Sequence, residues 1–139
     1  MKHILEVLEN RAKESSTLIA LSYKDNQKWH YYRWQDVLRI SKLVGAGLLS
    51  LDIEAKDFVG IISTTRVKWM LSDLGCMMSR AISIPIYPNL SPEETTYIIN
   101  HSECKVLILE DQQQLLNWKK IKDSCPSVKQ VVVMKPGEE

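Results

Sequence analysis

Apolar and polar positions follow two rhythms along this chain, and the rhythm changes after the first third. Over residues 2–14, Ile4, Leu5 and Leu8 fall on one side among lysine, glutamate and arginine, the spacing of a short amphipathic helix. Residues 17–23 and 28–33 then read as two strands, the second carrying Trp29, Tyr31 and Tyr32. The polar stretch Lys24-Asp25-Asn26-Gln27 between them predicts an antiparallel hairpin with a four-residue turn. Helical spacing returns over 35–51 through Val37, Ile40, Val44, Leu48 and Leu51. Gly45, Ala46 and Gly47 leave that helix thin on one side, which suits close helix packing.

Beyond it, short apolar runs alternate with helical stretches at nearly even spacing. The runs are 58–63, 81–86, 104–109 and 131–134. Helical segments fall between them: Val67 to Met78, Pro92 to about His101, and a stretch with Leu115, Trp118 and Ile121. Near-continuous apolar strands alternating with helices predict a parallel sheet buried on both faces, with right-handed crossovers placing helices on each side. The expected fold class is therefore α/β: an N-terminal helix and hairpin, then a Rossmann-like parallel sheet. Pro85 interrupts the second run; lacking an N–H, it is expected near a strand end or at a bulge. Ser91-Pro92-Glu93-Glu94 has the spacing of a capping box, with proline at the first helical position.

Composition narrows the function classes. The 139 residues are 45% hydrophobic and 25% charged, ordinary for a globular domain. Lys plus Arg is 18 and Asp plus Glu is 17, a net charge of +1, which argues against nucleic acid as partner. Cys76, Cys104 and Cys125 are odd in number and widely spaced, with no CxxC pair, so reduced thiols and a cytoplasmic location are expected. No apolar stretch has the roughly 20 residues needed to cross a bilayer, which leaves only peripheral membrane association open.

Several chemistries lack their residues. No GxxxxGK[ST] loop and no GxSxG elbow occur. Gly45-Ala46-Gly47 lies inside a helix rather than at a strand-to-helix turn, so it reads as packing. His3, His30 and His101 form no metal-binding pair. Asp52, Glu54 and Asp57 read as a solvated loop, and Lys119-Lys120-Ile121-Lys122 as one wet helix face. The best local candidate is Ser63-Thr64-Thr65-Arg66, which ends the first parallel strand and precedes a helix, where open α/β sheets place ligands. The competing reading is that Thr64 or Thr65 caps the helix and Arg66 is solvated. Trp69, one turn on, reads as packing first and recognition second.

From Tyr32 onward the residue order resembles adenylate-forming enzymes, specifically AMP-forming long-chain fatty-acid–CoA ligases. The segments that carry the resemblance are Tyr32-Arg33-Trp34-Gln35-Asp36-Val37, Asp57 to Ser63, Arg66-Val67-Lys68-Trp69 with Asp73-Leu74, Ile84 to Glu94 around Tyr87, and Tyr97 to Val106. They stand in one collinear order. Ala55-Lys56, Thr65 and Ser79-Arg80-Ala81 depart from the family's usual residues. The resemblance implies a reaction in which a fatty acid and ATP give an acyl-adenylate and pyrophosphate, after which coenzyme A takes the acyl group and AMP leaves. ATP, Mg and CoA are thus implied for the complete enzyme, and no cofactor for this chain alone.

Such chemistry uses a Ser/Thr/Gly-rich phosphate loop with a lysine, a magnesium-holding carboxylate and a mobile lid, and none of these motifs is present. The chain therefore reads as one partial domain over 1–139, with helix and hairpin at 1–33 and a βαβ-type half at 34–139. It is expected to be an N-terminal fragment, inactive alone, with no catalytic or metal residue. Thr64, Thr65, Arg66, Trp69 and Tyr87 are its ligand or interface candidates. The alternatives are a stand-alone interaction module, such as a homodimer through the N-terminal region, or a fragment of another acyl- or aryl-acid adenylating enzyme.

Overall fold

The computed structural model describes residues 3–135. Helix α1 (Ile4–Glu14) opens the described chain, with His3 as N-cap: its Nδ1 accepts the Leu5 N–H at 3.3 Å. Strands β1 (Ile19–Asp25) and β2 (Lys28–Arg33) form the antiparallel hairpin. The turn is tighter than expected. Only Asn26 and Gln27 lie outside the strands, both at positive φ (46° and 63°), as a two-residue hairpin turn with right-handed strand twist requires. A non-glycine pair at these angles gives no strong signal, so Lys24 and Asp25 read as turn although they pair with Trp29 and Lys28.

Helix α2 (Trp34–Ser50) follows, then β3 (Phe58–Ile62), α3 (Val67–Met78), β4 (Ile82–Ile86), α4 (Pro92–Ser102), β5 (Val106–Asp111), α5 (Gln112–Ile121), a 3-10 turn (Lys122–Ser124) and β6 (Gln130–Lys135). The last four strands form one parallel sheet in the order β4-β3-β5-β6. Central strands β3 and β5 are buried almost throughout, as their unbroken apolar runs predict. Strands β4 and β6 are edges and only partly buried, so burial on both faces holds for the centre alone. Edge position also explains Pro85, the penultimate residue of β4, because an edge strand can turn a missing N–H outward.

Two apolar layers hold the sheet. On one face, Val59 and Ile61 of β3 and Val106 and Ile108 of β5 pack against Leu48 of α2 and Cys76 of α3. On the other, Ile62, Leu107 and Leu109 meet Ile99 of α4 and Trp118 of α5. A third cluster fixes the hairpin: Leu8, Val37, Leu71 and Leu74 pack with Leu21 and Tyr32, so α3 is held between the sheet and the N-terminal elements. Helix α4 starts with the expected capping box. Ser91 Oγ accepts the Glu94 N–H at 3.2 Å and Glu94 Oε2 accepts the Ser91 N–H at 2.9 Å. At the amino end of the sheet, Asp57 accepts the Glu54 N–H and pairs with Lys105, each at 2.8 Å. The acidic loop before β3 is therefore tied down at Asp57 rather than merely solvated.

The glycine expectation needs correction. A Cβ on Gly45 would lie 2.8 Å from Met78 Cβ, so Gly45 does bring α2 against α3. Gly47 faces open space, and its partner in packing is instead Gly75 on α3, where a Cβ would sit 2.3 Å from Val44 Cγ1. Gly75→Ala is expected to cost about 1–3 kcal/mol in urea unfolding, because Val44 is itself wedged between helices. Gly47→Ala is expected to be neutral or to stabilise by up to about 1 kcal/mol through the helix backbone. Equal losses at both positions would contradict this packing.

Candidate functional site

Strand order decides where a ligand crevice can form. From β3 the chain crosses to β4 on one side, then returns past β3 to β5 on the other. The order reverses between β3 and β5, and open α/β sheets bind ligands outside the carboxyl ends of strands at such a point. The residues there are Ser63 and Thr64 after β3 and Glu110 near the end of β5.

Glu110 organises this end of the sheet. It is only 8% exposed, and both of its carboxylate oxygens are engaged. Oε2 accepts the Thr64 N–H at 2.5 Å, the Thr64 hydroxyl at 2.8 Å and the Ser63 hydroxyl at 3.1 Å. Oε1 accepts from Arg66 Nη2 in an ion pair. Burial alone would raise the carboxyl's pKa, but the Thr64 and Ser63 donors and the Arg66 charge outweigh it and hold it below its ordinary value.

This arrangement displaces both simple readings of Ser63–Arg66. Neither threonine caps α3: its N-cap is Arg66, and no side chain bonds the cap. Thr64 donates to Glu110 instead, and Arg66 is paired rather than free. The first turn of α3 carries no acidic residue either, so its N-terminal N–H groups and positive dipole end are left uncovered by side chains.

Two adjoining clefts flank this loop and share Thr65. The first, about 580 Å³, is lined by Ser63, Thr64, Thr65 and Trp69 on one side and Pro85 to Asn89 on the other. Four of the five candidates, Thr64, Thr65, Trp69 and Tyr87, thus border one space. Trp69 packs against the sheet core and lines the cleft at the same time, while Tyr87 stands 75% exposed at its rim. The loop after β4 is held from across the sheet by Gln114 Nε2, which donates to the Pro88 carbonyl at 3.2 Å. The second cleft, about 530 Å³, contains Arg66 and lies between the hairpin and α3.

Sequence reasoning missed Glu110. A carboxylate closing the apolar run Val106-Leu107-Ile108-Leu109 was the available signal, since a charge at a buried strand end needs a partner. Other groups fit chemistry poorly. All three thiols are buried and raised by that burial, Cys76 to about 12, so none is an available nucleophile. His30 stacks on Tyr23 and His101 on Tyr97. Among the described residues no three His, Cys, Asp or Glu side chains gather where they could hold a metal ion, and no helix is long and apolar enough to cross a membrane.

Comparison with known proteins agrees with this architecture. The profile of the AMP-binding enzyme family matches residues 8–139. The chain belongs to that family. Similar curated members include the mouse long-chain-fatty-acid–CoA ligase 6, 28% identical over 84% of this chain and 17% of that protein. Another is the peroxisomal acyl-CoA ligase 891 of Penicillium brevicompactum, 32% identical over 96% of this chain and 20% of that protein. The chain thus spans about a fifth of the length of the relatives it matches. Among solved structures, the N-terminal domain of FACL13 from Mycobacterium tuberculosis superposes with a TM-score of 0.86 at 22% identity, over 96% of this chain and 34% of that one. An anthranilate CoA ligase in complex with anthranoyl-AMP gives 0.84 at 23%, over 96% and 25%. These structures share the fold.

Glu110→Gln is expected to lower the unfolding free energy near neutral pH by about 1–2 kcal/mol, modest because Arg66 is 37% exposed. The folded-state carboxyl is lowered from 4.5, so its contribution is complete above that value and is lost as pH falls through the lowered one. Urea titrations at several pH values should show a gap between wild type and variant that is level above about pH 5 and closes in acid. A gap that widens in acid would contradict the assignment.

Proposed function

We propose that these residues build the first layer of a fatty-acid–CoA ligase. In that reaction a fatty acid and ATP give an acyl-adenylate and pyrophosphate, and coenzyme A then takes the acyl group as AMP leaves. The observation that carries this reading is the family match over residues 8–139 together with relatives named as long-chain fatty-acid–CoA ligases. The residues' own contribution is structural. Glu110 fixes the loop after β3, Gln114 fixes the loop after β4, and between them a cleft stays open at the carboxyl end of the sheet.

ATP, magnesium and CoA are substrates and partners of the complete enzyme in this reading. No step is assigned to a residue here. Glu110 has both oxygens occupied, and among the described residues no three His, Cys, Asp or Glu side chains gather to hold a metal ion. Incubating the 139-residue chain with ATP, a C16 acid, CoA and magnesium should release no AMP above the blank. Turnover at enzyme-like rates would overturn the assignment. The coding sequence downstream of Glu139 offers an independent check: an open frame running into a Ser/Thr/Gly-rich loop with a lysine is expected, and an immediate stop codon argues against the ligase.

A second reading is favoured by the outer face of the hairpin, where Trp29 and Tyr31 are 57% and 55% exposed. Two such faces could pair between copies of the chain. Light scattering across a concentration series tests this, and a strictly monomeric chain removes it.

A further inference from the structure

Strand alternation sorts the hairpin into two unlike faces. On the inner face Leu21 pairs with Tyr32 and Tyr23 with His30. Leu21 and Tyr32 join the apolar cluster over α3, while His30 stacks on Tyr23 and Tyr23 on Tyr32. The outer face takes the alternate positions: Ser22 and Lys24 of β1, and Trp29, Tyr31 and Arg33 of β2. Lys24 lies opposite Trp29 and Ser22 opposite Tyr31, so the two aromatic residues stand between a lysine at one end and an arginine about 13 Å along at the other. Lys24, Trp29, Tyr31 and Arg33 are all exposed. The hairpin's one acidic residue, Asp25, pairs with Lys28 on the inner side, so the outer face carries cations only. Among the described residues neither Lys24 nor Arg33 takes part in an ion pair. Trp29, Tyr31 and Arg33 line neither of the two clefts described above.

We propose that this face docks the chain on the surface of an anionic lipid bilayer. Tryptophan and tyrosine settle at the level of the headgroups, where the ring meets the acyl boundary and the N–H or O–H stays in water. Lysine and arginine beside them meet the negative surface potential of anionic lipids. A fluid surface needs no pocket, and this face offers none. It is also rigid, because the stacked row of His30, Tyr23 and Tyr32 backs it and the cluster over α3 anchors it, so little order has to be gained on contact. Two copies of the chain meeting by this face would set cations against cations, so an anionic surface suits it better than a second copy. With two cations the face makes too few phosphate contacts to hold a nucleic acid. The proposal uses no residue of the cleft over Trp69 and stands whether or not the ligase reading does.

Co-sedimentation of the 139-residue chain with vesicles tests it, comparing phosphatidylcholine alone with phosphatidylcholine carrying about one-third phosphatidylserine. Half of the chain should be bound at about a millimolar of the mixed lipid, weaker than a single acyl anchor gives, and almost none on phosphatidylcholine alone. Raising NaCl to about 0.5 M should weaken binding about tenfold. Lys24→Gln with Arg33→Gln should also weaken it at least about tenfold, since each cation near the surface is worth about fivefold. Lys24→Gln alone, away from the start of α2, repeats the test should the double variant lose stability. Trp29→Ser with Tyr31→Ser should weaken binding while the urea midpoint holds, and brominated acyl chains should quench wild-type emission more than that of Trp29→Phe. Lys119→Gln with Lys120→Gln, on α5, removes the same charge and should leave binding unchanged. No binding to the mixed vesicles, equal weakening by the α5 pair, or self-association through Trp29 and Tyr31 in place of vesicle binding would overturn the proposal.

Discussion

One buried carboxylate holds the functional end of this fold together. The sheet's strand order opens a gap between β3 and β5, because their chains leave in opposite directions. Hydrophobic packing cannot bridge that gap, since the backbone of the loop after β3 needs hydrogen-bond partners. Glu110 reaches across from β5 and supplies them to Ser63, Thr64 and Arg66 at once. A burial that would penalise a lone carboxylate becomes favourable because four donors meet it. Everything around the two clefts follows from this: the uncapped start of α3, the position of Arg66, and the space between Thr64 and Tyr87.

Much of the frame was legible in the residues because it depends on period and on local chemistry. Unbroken apolar runs gave β3 and β5, and Ser91-Pro92-Glu93-Glu94 gave the start of α4. What was not legible depends on contacts between distant segments. Glu110 lies 46 residues from Thr64, and neither residue type at its position announces the other. Gly75 looked like an ordinary helix residue because its role exists only where Val44 approaches, and Gly47 was credited with a contact it does not make. The tight hairpin turn escaped because Asn26 and Gln27 reach positive φ without glycine.

The same division runs through the candidate site. Thr64, Thr65 and Trp69 were found from a strand end and a helix start and Tyr87 from the family resemblance, and the four border one cleft. The second cleft beyond Arg66 was invisible, because its walls come together only when the hairpin, α3 and the end of β6 are assembled. The chain belongs to the AMP-binding enzyme family over residues 8–139 and spans about a fifth of its relatives' length. The residues described form a scaffold with a shaped cleft at the carboxyl edge of its sheet.

The central claim is that Glu110 and Arg66 act as one unit across the switch point. A double-mutant cycle with Glu110→Gln and Arg66→Met, read by urea unfolding near neutral pH, tests it most directly. The account predicts a coupling energy of about 1 kcal/mol or more between the two positions. Additive effects, with a coupling within about 0.3 kcal/mol of zero, would contradict it.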